Sequence, residues 1–216
     1  MRVLMGLCVL LLLGACNRVH TDQPLFFASD APDAPRLRDG LWVVQDTLGI
    51  DDDDQPCRFD ARKPVTRWPK CAQWVLVRGG ELLAYDGEKG KREWQSMGFV
   101  LADVDPMVLQ LGMKSGKEKE KLDFQYFGFS VTQRMSDGRI EAYAVWPVLC
   151  GPPPPEGTKE ADGAPRFATL EPLPGLTIDG NNCTTGSSAA VINAARASRA
   201  WEAEPGTARW VRDTWP

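Results

Sequence analysis

Residues 122–149 read LDFQYFGFSVTQRMSDGRIEAYAVWPVL, and this stretch decides the fold class. From Leu122 onward apolar and polar side chains alternate, which is the two-residue period of a half-buried β-strand. Asp137-Gly138 separates this run from a second strand-like run that begins at Ile140. An Asp-Gly pair between two such runs is typical of a β-hairpin. The stretch therefore predicts two antiparallel strands joined by a tight turn.

The sequence before this hairpin contains further short apolar runs of strand length. Arg78-Gly79-Gly80 separates residues 73–77 from 81–85, which predicts a second hairpin. Additional strand-like runs are 41–44, 99–101 and 107–111. Together they predict an antiparallel meander of about six or seven strands, shaped as a sandwich or a partly closed barrel.

One stretch near the C-terminus has the features of a helix. Residues 187–202 are rich in alanine, begin with serines that can cap a helix, and precede Pro205-Gly206. We expect Val191, Ile192, Ala195 and Trp201 to form its buried stripe. The predicted fold class is therefore α+β, mostly antiparallel β, with one C-terminal helix.

The N-terminus carries a targeting pattern. Arg2 precedes an apolar run from Val3 to Leu13, and Leu13-Gly14-Ala15-Cys16 follows. The run is about half the length that spans a bilayer. Residues 1–17 resemble the signal peptide and lipobox of bacterial lipoproteins, in which the cysteine is lipidated and the chain is cut before it. The resemblance implies a signal peptide over 1–15 and an acyl anchor, such as palmitate, on Cys16.

The same resemblance implies a location in the cell envelope. In enterobacterial lipoproteins an Asp after the lipidated cysteine retains the protein in the inner membrane. Asn17 occupies that position here, which favours the outer membrane with the domain facing the periplasm. The partners expected on this basis are the membrane, through the lipid, and an envelope protein or polymer.

Length and composition divide the remainder of the chain. Removing residues 1–15 leaves 201 of the 216 residues, enough for one sizeable domain. Residues 16–38 contain three prolines and little periodicity, so we predict a tether, with Leu25-Phe26-Phe27 as a first docking point. Residues 39–216 are predicted to form a single β-rich domain with a proline-rich loop at 151–165.

The cysteines predict disulfides. Cys8 leaves with the signal and Cys16 carries lipid, so an even number remains in an exported chain. Loop closure favours the short pairings. No CxxC pair is present, and the spacings fit no common zinc site, so neither a metal nor a cofactor is predicted. The two predicted bonds are Cys57–Cys71 and Cys150–Cys183.

Net charge and motif order argue against nucleic acid and calcium as ligands. The formal net charge is −4 and becomes −5 once the signal, with its one charged residue Arg2, is removed. The chain lacks the basic excess of a nucleic-acid binder, so no nucleic-acid partner is predicted. The run Asp51–Asp54 has the donor type that calcium prefers, yet the EF-hand order is absent. We expect that run to be a solvated loop.

The single histidine of the chain limits the kinds of catalysis that the predicted domain could perform. The single histidine, His20, falls in the predicted tether, which leaves the predicted domain without Ser-His-Asp or Cys-His catalysis. No catalytic residue is predicted, and the favoured function is a membrane-anchored, non-catalytic binding or scaffolding module. The alternative is a hydrolase of envelope polymers that uses carboxylates alone. Its candidate residues are Asp103, Asp105, Asp123, Asp137 and Glu141.

Overall fold

A computed structural model of the chain describes residues 17–30, 34–45, 58–69, 72–86, 93–114, 122–153, 171–201 and 205–213. The signal peptide, Cys16, the Cys57–Cys71 pair, the run Asp51–Asp54 and most of the proline-rich loop lie outside these ranges. The expectations that concern those residues stay predictions.

The described residues form eleven strands and one α-helix. Helix α1 spans Ser188–Trp201, so the helix predicted over 187–202 is confirmed. Short 3-10 turns occur at Ala28–Asp30 and Val65–Arg67. The strands are β1 His20–Thr21, β2 Gly40–Gln45, β3 Ala72–Arg78, β4 Glu81–Asp86, β5 Glu93–Ala102, β6 Met107–Lys114, β7 Leu122–Arg134, β8 Ile140–Pro147, β9 Thr177–Asp179, β10 Asn182–Thr184 and β11 Gly206–Arg212.

Eight of the strands close into a barrel. Strands β2 to β8 form a meander in which each strand pairs antiparallel with the next. After α1, β11 returns and pairs with β2 on one edge and with β8 on the other. The expectation of a mostly antiparallel β fold with one C-terminal helix is confirmed. Of the expected shapes the barrel is the one that forms, and its closure removes both sheet edges.

The hairpin predicted at 122–149 is also confirmed. Strand β7 pairs antiparallel with β8 from Phe127 to Arg134, with register shifts near Gln133. Gly138 in the turn has φ 84°, a left-handed conformation that glycine adopts without a steric penalty. The turn is completed by Asp137, whose Oδ1 accepts a hydrogen bond from the Arg139 N–H at 3.1 Å.

Helix α1 packs on the outside of the barrel wall formed by β6, β7 and β8. Of the expected stripe, Val191 and Ala195 are fully buried, whereas Ile192 and Trp201 are only partly buried. The rest of the buried stripe consists of Ala190, Ala194 and Ser198. Small side chains face the sheet because the helix lies close to it. The sequence therefore predicted only two of the five buried helix positions, Val191 and Ala195.

Trp146 is the largest side chain between helix and barrel. Its Nε1–H donates to the backbone oxygen of Ala195 at 2.8 Å. Gly128 lies directly beneath the ring, and a Cβ at that position would overlap the indole. The absence of a side chain at Gly128 therefore lets Trp146 lie against β7 and reach the helix backbone.

Residues 17–30 are part of the folded structure, which corrects the expectation of a tether over 16–38. Val19 is fully buried and β1 pairs with β7. The buried Gln110 side chain binds the backbone that follows β1. Its Oε1 accepts hydrogen bonds from the N–H groups of Leu25 and Phe26, and its Nε2 donates to the Phe26 oxygen. These contacts escaped the sequence analysis because β1 is too short to show a period.

A disulfide joins Cys150, just after β8, to Cys183 in β10, with 5.8 Å between their Cα atoms. This pairing was predicted and is confirmed. Both cysteines are buried within the outer core beneath α1. The bond therefore ties the β9–β10 hairpin to the end of a barrel strand.

The segment before β2 closes one end of the barrel. The Arg38 guanidinium lies 3.2 Å from the centre of the Trp210 ring, and the Arg38 oxygen accepts the Trp42 Nε1–H at 2.8 Å. Leu37 is buried and bridges to Ile140. Cation–π stacking and the buried apolar pair together seal this end.

We expect Gly128→Ala to destabilise the protein, because the added methyl group would displace Trp146. Overfilling a packed layer costs about 1–3 kcal/mol, which lowers Tm by several degrees. Gly98→Ala is the matched control, since a Cβ at Gly98 meets no atom within 4 Å. Thermal unfolding of both variants checks this, and equal melting temperatures would contradict the proposed role of Gly128.

Candidate functional site

The two ends of the barrel differ in construction. At the lower end, short connections at 79–80, 103–106 and 135–139 join the strands, and Leu37 and Arg38 cover the interior. The upper end is where β3, β5 and β7 begin and β4, β6 and β8 end.

Several apolar side chains of the inner face are only half-buried, and they occur toward both ends of the barrel. They pack against the inner core of Trp42, Leu111, Phe129 and Tyr143 while keeping accessible surface. The layer beneath α1 also combines fully buried residues, such as Val19 and Val148, with partly buried ones, such as Phe124. The half-buried residues are Val44, Val75, Met97, Phe99, Met107, Met113, Phe127, Val131, Val145 and Trp210.

Two glutamine side chains interrupt this apolar lining. The Oε1 atoms of Gln73 and Gln125 are buried and have no hydrogen-bond partner. Gln73 lies opposite Val44 in the sheet register and Gln125 lies opposite Leu111, so both belong to the inner face. Strands β3 and β7 are four strands apart in either direction around the barrel. The two amides therefore come from opposite walls at the upper end.

Tyr143 supplies a third polar group, deeper in the interior. It is 6% exposed, stacks on Phe129 with 4.6 Å between ring centres, and lies 5.4 Å from the Trp42 ring. Burial raises the pKa of Tyr143 far above its ordinary value, so the phenol stays neutral. Buried polar groups normally find partners, so Gln73 and Gln125 are candidate ligand contacts.

A charged cluster lies at the rim of the upper end. His20 Nδ1 lies 3.0 Å from Asp123 Oδ1, and His20 Nε2 lies 3.5 Å from Asp179 Oδ2. His20 is paired with Gln125 in the register of β1 and β7, and Gln125 Nε2 donates to Asp123 Oδ2 at 3.4 Å. The rim cluster, defined as His20, Asp123 and Asp179, therefore adjoins one of the inward-facing amides.

The hydrogen bond from Asp123 raises the pKa of His20 above its ordinary 6.5, against the opposing effect of burial. The charges of Asp123, Asp179 and Asp22 act in the same direction as that hydrogen bond. This finding corrects the placement of the histidine in a tether, because His20 is a structural part of the barrel rim.

The five carboxylates considered for hydrolysis lie at different places. Asp137 pairs with Arg139 at 2.7 Å, Glu141 lies 3.9 Å from Arg38, and Asp105 contacts Arg196. These three and Asp103 belong to the lower end, whereas Asp123 lies at the upper rim. Asp123 is thus separated from the other four by the length of the barrel. A glycosidase needs two carboxyl groups that face each other across a bond, and Asp123 forms no such pair with the others.

Two further features bear on the site. Within the described ranges, no three His, Cys, Asp or Glu side chains lie together so as to hold a metal ion. None of the helical segments that the structure describes has the length and apolar character needed to cross a bilayer.

Comparisons with protein-family models, with curated proteins and with solved structures give no match for this chain.

We expect thermal stability to fall as pH rises through the pKa of His20. Because that pKa is raised above 6.5 on folding, the protonated form stabilises the fold fully below 6.5, and this contribution is lost as pH rises through the higher folded value. The measurement is Tm against pH for the wild type and for His20→Gln. The His20→Gln variant should lack this decline, and an unchanged profile would remove the role assigned to the rim cluster.

Proposed function

We propose that this protein is a lipid-anchored envelope protein whose barrel is a non-catalytic binding module for a small, largely apolar molecule. The observation that carries the proposal is the barrel interior, which contains half-buried apolar side chains and the buried, unpartnered Oε1 atoms of Gln73 and Gln125. An eight-stranded barrel either fills its interior with side chains or holds one small ligand.

The composition of the interior supports binding of a small molecule. Such sites are mostly apolar and contain a few polar groups that orient the ligand. Val75, Met97 and Phe127 belong to the apolar wall, while Gln73 and Gln125 offer amide groups from opposite sides. The five hydrolase candidates provide no comparable arrangement around this interior, so binding is the function favoured by the geometry.

The sequence supports the anchor. The apolar run followed by Leu13-Gly14-Ala15-Cys16 matches the lipobox pattern, and Asn17 favours the outer membrane. On this proposal the barrel lies on the periplasmic side and acts near the membrane surface.

The binding proposal is tested with the neutral apolar fluorophore N-phenyl-1-naphthylamine. We expect the soluble mature chain with Cys16→Ser to bind it saturably. Met97→Trp places a larger side chain in the interior space that the probe would occupy, so the affinity should fall by about tenfold, or about 1.4 kcal/mol. Fluorescence titration measures both.

Ile178→Trp is the matched control, since Ile178 is exposed in β9, away from the barrel interior. Its titration should match that of the parent chain. Equal binding by the Met97→Trp and Ile178→Trp variants, with both melting like the parent, would place the probe outside the barrel and contradict the proposal.

The anchor is tested by metabolic labelling with palmitate. We expect label to enter the wild-type chain but not Cys16→Ser, which should leave the membrane fraction. Absence of label from the wild-type chain would refute lipidation at Cys16 without affecting the binding test.

A further inference from the structure

We propose that the β9–β10 hairpin, together with the loop before it and the turn after it, is a membrane-contact face that lies against the lipid head groups of the bilayer holding Cys16. This face comprises residues 172–187. The inference rests on the proposed lipidation of Cys16 and adds which surface of the domain meets the membrane. The barrel interior takes no part in it.

No spacer separates the proposed anchor from the folded domain. Asn17, which is bonded directly to Cys16, is only 3% exposed. Its N–H donates to the Asn181 oxygen at 2.6 Å, its oxygen accepts the Cys150 N–H at 2.9 Å, and its Nδ2 donates to the Gly151 oxygen at 3.2 Å. Both backbone polar groups of Asn17 and its side chain are therefore bonded to the domain.

The next residue continues this attachment. The Arg18 N–H donates to Asn182 Oδ1 at 3.1 Å, and the Arg18 oxygen accepts the Cys183 N–H at 3.0 Å. The Cys150–Cys183 disulfide joins the two segments that hold this part of the chain. A lipid on Cys16 would therefore be attached to the folded domain itself, without a flexible linker between them.

The surface next to the anchor is the turn of the β9–β10 hairpin. The hydrogen bond from the Asn17 N–H ends on the Asn181 oxygen in that turn, and the same Asn17 nitrogen forms the peptide bond with Cys16. Because consecutive Cα atoms are about 3.8 Å apart, acyl groups on Cys16 begin within about 10 Å of the Asn181 oxygen. The bilayer that takes up those acyl groups must then lie beside the hairpin.

This surface carries little charge. Asp179 is the one charged residue in the sequence from 172 to 195, whereas the chain average of 25% would place about six in a stretch of that length. The Asp179 carboxylate lies 3.5 Å from His20 Nε2, so it has a partner of opposite charge when the histidine is protonated. Because desolvation of an unpaired charge is costly, a surface with so few charges can approach lipid head groups closely.

The hairpin is also exposed and offers an apolar contact. Residues 177–181 are all exposed, and a Cβ at Gly180 in the turn would meet no atom within 4 Å. Ile178 is 49% exposed, although large apolar side chains are mostly buried in the described part of the chain. Burial of apolar area at the bilayer interface is favourable, so Ile178 would strengthen contact beside the anchor.

The test measures contact between the hairpin and phospholipid by photocrosslinking. The lipidated full-length chain carries p-benzoylphenylalanine in place of Ile178, or in place of Ser136 as the matched control. Ser136 is exposed in the turn before β8, whereas Asn17 is bonded to Cys150 just after that strand. Each protein is labelled with palmitate and reconstituted in phosphatidylcholine vesicles that contain a phospholipid with an alkyne in its acyl chain.

Cross-linked phospholipid is quantified by coupling a fluorophore to the alkyne. We expect cross-linking at position 178 to exceed that at position 136 by about tenfold, because the eight residues of β8 separate the control from the anchor by roughly 26 Å. Neutral phosphatidylcholine should suffice, since the membrane-contact face lacks a cluster of cations.

A second variant tests the attachment at Asn17. A spacer of about 30 Gly and Ser residues, with an r.m.s. length of roughly 30 Å, is inserted after Cys16 and begins with Asn so that the residue after the lipidated cysteine is unchanged. We expect the spacer to lower cross-linking at position 178 several-fold, because a long linker lowers the effective concentration of lipid at the hairpin. The melting temperature should stay that of the parent chain.

Three outcomes would overturn the inference while leaving the anchor in place. One is palmitate-labelled, vesicle-bound protein that cross-links phospholipid no more at position 178 than at position 136. Another is cross-linking at position 178 to a second copy of the chain in place of lipid, which would make the hairpin a protein interface. The third is cross-linking at position 178 that the spacer leaves unchanged, which would show that the bonds of Asn17 do not orient the domain. Absence of palmitate from the parent chain would instead contradict the proposed anchor, and with it the inference that depends on it.

Discussion

The structure depends on the hydrogen bonding of β11 along both of its edges. Ala208 pairs with Val44 of β2 on one side and with Tyr143 of β8 on the other. Without β11 the meander would be an open sheet with two exposed edges, and open edges invite pairing with other chains. With β11 in place the sheet is a closed barrel with an inner and an outer face. Helix α1 packs on the outer face, and Gln73 and Gln125 lie on the inner face.

The inner and outer faces of the barrel are built differently. Outside, the small residues of α1 approach the wall closely, and Trp146 fits over Gly128. Inside, Trp42, Phe129 and Tyr143 are buried, and half-buried apolar side chains pack against them. The buried Oε1 atoms of Gln73 and Gln125 have no hydrogen-bond partner, and the proposed binding function rests on this feature of the inner face.

The N-terminal segment connects the site to the proposed anchor. Thr21 Oγ1 lies 2.5 Å from the Tyr126 hydroxyl, and Phe26 meets the edge of the same Tyr126 ring. With Gln110 holding the backbone of residues 25 and 26, the chain directly after Cys16 is joined to the barrel wall. The rim cluster of His20, Asp123 and Asp179 follows from this attachment, because β1 continues along β7 beyond the point where β8 ends.

By itself the sequence determined the features that depend on near neighbours. The alternation over 122–133, the Asp137-Gly138 turn, the alanine-rich helix and the short Cys150–Cys183 loop all predicted what the structure contains, because strand period, turn chemistry and loop closure act over short distances. Closure of the barrel, the packing of residues 17–30 onto it, the contact of His20 with Asp123 and the placement of Gln73 and Gln125 on the inner face were decided only in the tertiary structure. Each joins residues far apart in the chain, and no local period or turn signal records which distant strands will pair.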